Sequence, residues 1–179
     1  MASWVNVYGP ITGDENNVDW SGYTIRVVVN SAQISNTGLA KVRVTFESSG
    51  AQALTIDAAY IGHAAAAGDA YDYESTPTQL LFSGSGGFAI SSGTQKVSDE
   101  VAFSVQSSKN LIIAYHVSGD ATHDDVRAKA TQTGFTSYYK SANEAGTVDV
   151  TGYSTSAKAI LGVMRVEAAA SDGGFFAFF

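Results

Sequence analysis

Short apolar runs separated by turn residues recur along most of this chain. The most apolar is NLIIAYHV, residues 110–117, in which four consecutive apolar residues are followed by Tyr115. A continuous apolar run of this length, rich in β-branched residues, is typical of a strand buried on both faces. Residues 40–47 alternate instead, which is typical of a strand that buries one face.

The spacing of these runs predicts about ten strands and no interleaved helices. The predicted strands are residues 23–29, 40–47, 54–61, 79–82, 87–90, 101–105, 110–117, 135–139, 147–150 and 159–167. Many short strands with Gly-Ser punctuation favour an all-β, antiparallel β-sandwich, jelly-roll-like in its connections.

A length of 179 residues suits one domain. We predict a sandwich over residues 23–168, an extended N-terminal arm over residues 1–22 and a C-terminal tail over residues 169–179. Trp4 and Trp20 lie in the arm, where they either cap the domain's own core or anchor the chain to a neighbouring subunit.

Composition restricts the classes of partner. A net charge of −7, with the ten basic residues scattered singly, argues against nucleic acid, because that binding requires clustered Lys and Arg. No apolar run approaches the about 20 residues of a membrane helix, so we expect no membrane partner. The first residues lack the pattern of a Sec signal, which predicts synthesis in the cytoplasm without a signal peptide.

The tail ends in a Phe-rich segment that follows Gly173-Gly174. Exposed phenylalanines each favour leaving water by about 1.5–3 kcal/mol, so we expect this segment to dock to a partner or neighbouring copy, or else to pack on its own domain. The predicted partner-docking residues are Trp4, Tyr8, Trp20, Phe175, Phe176, Phe178 and Phe179.

Imidazoles and carboxylates crowd together after the most apolar run. His116, Asp120, His123, Asp124 and Asp125 could hold a divalent cation, with the carboxylates favouring Ca²⁺ and the histidines favouring Zn²⁺ or Ni²⁺. The spacing matches no defined motif, and an acidic loop is commonly only solvated. His116, on a core strand, is also readable as a hydrogen-bonded structural histidine. We otherwise expect no cofactor.

Tyrosines beside carboxylates form a second polar cluster. Such pairs suit sugars, since the ring stacks on the sugar face and the acid accepts hydroxyl hydrogen bonds; the alternative is a loop whose tyrosines cover the sandwich rim. The possible glycan contacts are Asp69, Tyr71, Asp72, Tyr73, Tyr138 and Tyr139.

Three other carboxylates are interpreted as structural. Asp99 precedes a strand, where a short acidic side chain caps backbone N–H groups of a turn. We expect Asp57 and Glu47 to pair with Arg26 or Arg43 across strands.

The order of motifs between residues 22 and 166 resembles the β-sandwich domain that accompanies GDSL/SGNH-type esterases. The motifs that carry the resemblance are Thr24-Ile25-Arg26, Val42-Arg43-Val44, Leu54-Thr55-Ile56, Leu80-Leu81-Phe82-Ser83-Gly84 and Val97-Ser98-Asp99-Glu100-Val101. These are structural motifs. The GDS nucleophile, the downstream Asp-x-x-His and a Gly-x-Ser-x-Gly elbow have no counterpart in the sequence.

An enzyme-free sandwich of this kind resembles phage virion proteins and glycan-adhesion modules. The resemblance implies a non-catalytic interaction protein. We therefore expect a virion surface subunit of a tailed phage, either a capsid decoration or fibre-type protein, present as a homo-oligomer or within a larger assembly. The alternative is a carbohydrate-binding module that recognises a host or matrix glycan.

Overall fold

Alternation of apolar and polar side chains along the strands builds two main antiparallel sheets. The computed structural model describes residues 3–17, 20–118 and 125–170 and confirms the predicted all-β sandwich. In chain order its strands are β1 (Val5–Tyr8), β2 (Glu15–Asn17), β3 (Thr24–Val29), β4 (Lys41–Glu47), β5 (Leu54–His63), β6 (Thr78–Leu80), β7 (Phe88–Ile90), β8 (Gln95–Val97), β9 (Val101–Ala102), β10 (Leu111–Val117), β11 (Val126–Lys129), β12 (Phe135–Lys140), β13 (Ser154–Thr155), β14 (Ile160–Leu161) and β15 (Val163–Ala169).

Every strand pair in these sheets is antiparallel. The five-stranded sheet has the order β1-β15-β4. Strands β8 and β9 both pair with the free edge of β4, one after the other along its length. The seven-stranded sheet has the order β13-β12-β3-β10-β5, with β6 and β7 along the free edge of β5. A small sheet of order β14-β11-β2 lies beside them.

The main core lies between the two large sheets. From β3 it receives Ile25, Val27 and Val29, and these pack in one cluster with residues of β4 such as Val44 and Phe46. Thr24, Arg26 and Val28 alternate with them and point to the opposite face of the seven-stranded sheet. That opposite face is also covered, so β3 is buried at all six positions.

A second layer covers this outer face of the seven-stranded sheet. It is made of the loops at residues 69–73 and 142–153, whose side chains pack on the outward residues Val28, Ile112 and Ala114. All seven residues of β10 are consequently buried, as the sequence predicts for a strand covered on both sides.

The predicted arm is wrong as a separate element, because residues 5–17 belong to the sheets. β1 pairs with β15 and β2 pairs with β11. Trp20 is 8% exposed and lies in the main core. An apolar strand next to an unpaired sheet edge gains both hydrogen bonds and burial by joining it.

Strand predictions were accurate for the long elements and poor for the short ones. Residues 147–150 form turns instead of a strand, although Val150 is buried in the outer layer. Strands β2, β8, β11 and β13 were missed, whereas the equally short strands β6, β7 and β9 overlap predicted strands. Helix in the described ranges is limited to one 3-10 turn, Ser31–Gln33, so none of it could cross a membrane.

Candidate functional site

The predicted metal cluster is described only at its two ends. His116 is 7% exposed, and its Nδ1 lies 3.0 Å from an Asp57 carboxylate oxygen on the neighbouring strand β5. Asp125 is 3% exposed, and its backbone carbonyl accepts a hydrogen bond from the N–H of Ser49. The other three residues, Asp120, His123 and Asp124, lie outside the described residues. Residues 3–17, 20–118 and 125–170 contain no group of three metal-ligating side chains.

The predicted glycan platform at residues 69–73 is wrong for its central members. Tyr71, Asp72 and Tyr73 are 8%, 6% and 2% exposed, so they offer no ring face to a sugar. The Asp72 carboxylate accepts hydrogen bonds from the N–H groups of Asp69 and Val150 at 2.9 and 3.1 Å. This cluster closes the outer layer onto the sheet instead of forming a surface site.

Tyr138 and Tyr139 do not share a surface, because successive residues of β12 point to opposite faces of the sheet. Tyr138 packs in the outer layer against Tyr71, with ring centroids 5.0 Å apart. Tyr139 packs on the main core against Trp20 at 5.1 Å. The sequence shows both tyrosines next to Lys140. It does not show which face of the sheet each tyrosine occupies, because that depends on the register of β12.

Arg26 is the buried charge around which the outer layer is arranged. Its side chain is fully buried and donates hydrogen bonds to the backbone carbonyls of Tyr71, Glu144 and Thr147 at 2.6, 2.8 and 2.6 Å. The guanidinium also lies 4.7 Å from the ring centroid of Tyr73. Burial raises the pKa of the Tyr73 hydroxyl well above its ordinary value, and the charge of Arg26 opposes that shift only in part.

The predicted cross-strand ion pairs are wrong. Asp57 contacts His116, while the Glu47 carboxylate accepts from Gln95. Arg43 pairs instead with Glu167 of β15 through Nε and Nη2 at 2.8 and 3.1 Å. Which strands are neighbours decided these pairs, and single-strand patterns do not contain that information.

Asp99 confirms its predicted role as a turn cap. Its carboxylate accepts hydrogen bonds from the N–H groups of Ser83 and Gly84 at 3.0 and 2.8 Å.

Two of the predicted docking residues are buried in this chain's own core. Tyr8 and Trp20 are 4% and 8% exposed, so their assignment as partner contacts is wrong, and for Trp20 the alternative of capping the core is favoured. Trp4 is half-buried beside Arg43, whose guanidinium lies 4.4 Å from its ring centroid. Phe175, Phe176, Phe178 and Phe179 lie outside the described residues.

The residues before β1 and those after β15 leave the five-stranded sheet at the same end. Val5 is paired with Ala168, and the carbonyl of Ala169 accepts a hydrogen bond from the N–H of Ala40. Trp4 therefore lies next to the point from which the chain continues toward its Phe-rich segment.

A cleft opens at the opposite end of β1, with a volume of about 340 Å³. Its apolar wall is formed by Tyr8, Pro10, Ile11 and Phe135, with the Tyr8 and Phe135 rings in edge contact at 5.2 Å between centroids. Gly9 turns the chain at this wall with a φ of +82°, and a Cβ there would lie 2.6 Å from the carbonyl oxygen of Met164.

The polar wall of the same cleft is made of neutral side chains. Three of its lining residues, Asn6, Gln33 and Gln132, carry amides. The sequence does not reveal this cleft, because its walls come from segments far apart in the chain. The Tyr8-Gly9-Pro10-Ile11 turn was the available signal, and it gave no chemistry without its neighbours.

In comparisons with known proteins, no family model matches the chain and no curated protein matches it significantly.

Proposed function

We propose that this chain is a non-catalytic structural subunit of a larger assembly, of the capsid-decoration or fibre type found on the surface of tailed phages. The observation that carries the proposal is the shared exit of the two terminal segments from one end of the five-stranded sheet. Aromatic residues on both segments, Trp4 and the Phe-rich segment, can then act on one neighbouring subunit.

The polar chemistry of the described residues supports an interaction role. The most buried charged and titratable side chains serve the fold: Arg26 binds loop carbonyls, Asp72 binds loop N–H groups and Glu167 binds Arg43. The resemblance of the strand motifs to an enzyme-associated sandwich without the enzyme's nucleophile motif agrees with this role.

The test compares the mass in solution of the full chain with that of a chain ending at Asp172. A matched variant keeps the length but replaces Phe175, Phe176, Phe178 and Phe179 with Ser, which separates the loss of aromatic surface from the loss of residues. We expect a defined oligomer for the full chain and monomers for both variants, all three with the same circular dichroism and unfolding midpoint.

Monomers in all three cases would contradict docking through the Phe-rich segment. Unfolding of the shortened chain would also contradict it, because the segment would then belong to the domain itself. Detection of the chain by mass spectrometry in purified particles tests the virion assignment separately.

A carbohydrate-binding module is the second candidate function. The predicted platform at Tyr71 and Tyr73 no longer supports it, since both rings are buried. The cleft beside β1 favours it instead.

A further inference from the structure

We infer that the cleft beside β1 is a binding site for a neutral saccharide. The inference concerns a site at the opposite end of β1 from the proposed docking surface, and it holds whether or not the chain assembles. It rests on unused hydrogen-bonding groups, on the charge of the lining and on the protection of the nearby strand edge.

The cleft presents hydrogen-bonding side chains that the fold leaves unused. Within residues 3–17, 20–118 and 125–170, the amides of Asn6, Gln33 and Gln132 have no hydrogen-bond partner. Each amide offers both donors and an acceptor, as each sugar hydroxyl does. Convergent amides at one concave surface are the polar component of a typical small-molecule site.

Tyr8 forms part of the apolar wall, and its hydroxyl is enclosed by the protein. Tyr8 is 4% exposed, and its oxygen has no hydrogen-bond partner in the part of the chain that the structure describes. Because the protein encloses this hydroxyl, Tyr8 offers a ligand apolar surface and no hydrogen bond. Burial raises the pKa of this hydroxyl well above its ordinary value, so it stays protonated.

The lining is uncharged, which sets the class of ligand. Its residues include neither Asp, Glu, Lys, Arg nor His. A phosphate, a sialic acid or an acidic peptide would therefore have no counter-charge in the cleft. The volume of about 340 Å³ is at the lower end of the range for small-molecule pockets, about 300–1,000 Å³, and suits a short saccharide.

A peptide strand is disfavoured because the edge of β1 is already covered. The carbonyl of Asn6 accepts hydrogen bonds from Ser35 Oγ and Asn36 Nδ2 at 3.2 and 2.7 Å, and that of Val7 accepts from the Ser35 N–H at 2.9 Å. An incoming strand needs free main-chain groups along an edge. The free groups at this cleft are side-chain amides, which suit a sugar better.

The test is a titration of the full chain with a panel of neutral disaccharides built on glucose, galactose, mannose and N-acetylglucosamine. The side-chain NH₂ signals of Asn6, Gln33 and Gln132 are followed by NMR. We expect one saccharide family to bind saturably and to shift these signals.

Two variants locate the binding, and one serves as control. Gln33→Ala and Gln132→Ala each remove one hydrogen bond to the ligand and should raise the dissociation constant about two- to tenfold. Gln52→Ala removes an exposed amide outside the cleft and should leave it unchanged.

Three outcomes would overturn the inference. The first is the absence of saturable binding by every neutral saccharide in the panel. The second is binding that both cleft variants leave undiminished. In the third, no saccharide binds, but an unstructured peptide library binds and shifts the NMR signals of the same three amides. That result would assign the cleft to a protein partner.

Discussion

The guanidinium of Arg26 holds three separate loop carbonyls at one point on the outer face of the seven-stranded sheet. Its planar fork of five N–H donors suits this task, because several acceptors in fixed directions are satisfied by one rigid group. The carbonyls belong to the two loop segments that form the second layer. One residue therefore links that layer to β3.

Replacing Arg26 by Met should destabilise the protein by at least about 3 kcal/mol, since each buried carbonyl left unpaired costs about 1–3 kcal/mol. Arg26→Lys should recover little of this loss, because one ammonium group cannot reach all three carbonyls. Denaturant unfolding followed by tyrosine fluorescence measures the change in the free energy of unfolding.

Lys158→Met is the matched control for this experiment. It removes a cation that pairs with Glu15 at 2.6 Å, the two side chains being 28% and 33% exposed, and an ion pair near the surface contributes about 0–1 kcal/mol. Equal stability of the Arg26→Met and Lys158→Met variants would contradict an organising role for Arg26.

Sequence reasoning placed Arg26 on a strand but gave it the wrong partners. A charge within TIRVVV predicts a carboxylate on a neighbouring strand, because ion pairs are the usual solution for a charge on a sheet. The actual partners are carbonyls from loops 45 to 121 residues away. The burial of Tyr71 and Tyr73 was equally hidden from the sequence, because it depends on the second layer that covers the outer face of the seven-stranded sheet.

At the scale of elements, a glycine connects the short strand β14 to the long strand β15. Gly162 has a φ of +69°, donates its N–H to the carbonyl of Arg127 and accepts from the N–H of Glu47, both at 2.8 Å. A Cβ there would lie 2.5 Å from the hydroxyl oxygen of Tyr115. This turn therefore joins the small sheet to the five-stranded sheet directly above a core tyrosine.

Gly162→Ala should destabilise the fold by about 3 kcal/mol or more, from a positive-φ penalty of about 1–2 kcal/mol and the added cost of the clash. Gly152→Ala is the matched control, because Gly152 has a φ of +78° and nothing within 4 Å of a Cβ. It should cost only about 1–2 kcal/mol. Thermal and denaturant unfolding of both variants gives the comparison.

Tyr115→Phe provides the second half of this experiment. In the Gly162→Ala background it removes the clashing oxygen, so the double variant should be more stable than the sum of the two single changes indicates. The contact with Tyr115 would contribute nothing to the cost if two results were found together. These are equal losses of unfolding free energy for Gly152→Ala and Gly162→Ala, and an effect of Tyr115→Phe that simply adds to that of Gly162→Ala.

The length of an element determined how well sequence predicted it. β3, β4, β5, β10, β12 and β15 were found to within two or three residues at most ends, because each carries enough apolar positions to show its period. Strands of two to four residues carry too few for a reliable prediction, so β6, β7 and β9 overlap predicted strands while β2, β8, β11 and β13 were missed. The residues of β1 were assigned to the N-terminal arm, since the pairing of β1 with β15 joins residues about 160 positions apart.

For the whole molecule, sequence predicted the sandwich but not the places where its surface can act. The strand count and the turns are local properties, and they set the fold class. The outer layer and the cleft beside β1 arise where distant segments meet, so their residues carry no shared pattern. The resemblance to esterase-associated sandwiches also rests on local features, because its motifs are strand motifs. It remains a prediction.

As the pH falls, protonation of His63 should lower the stability of the fold before protonation of the carboxylates does. The half-buried His63 ring stacks on Phe103 at 4.8 Å between centroids, and its Nε2 accepts the N–H of Gln106 at 3.1 Å. Burial, and then the positive charge of Lys109, lower the pKa of His63 below its ordinary value of 6.5, while Glu74 partly opposes them.

Because the folded state holds the pKa of His63 below that of the unfolded chain, its contribution to stability is complete above about pH 6.5 and is lost as the pH falls below that value. The ion pair with Lys109 also lowers the pKa of Glu74 below its ordinary 4.5, so the loss from that group begins only at lower pH. Protonation removes the acceptor for Gln106, and we expect a loss of at most about 1 kcal/mol between pH 7 and 5.

The His63→Gln variant keeps an acceptor but does not titrate, so the difference between its pH–stability curve and that of the parent isolates this histidine. If the two curves run parallel over that range, the acid sensitivity arises elsewhere in the molecule and the assignment to His63 is wrong.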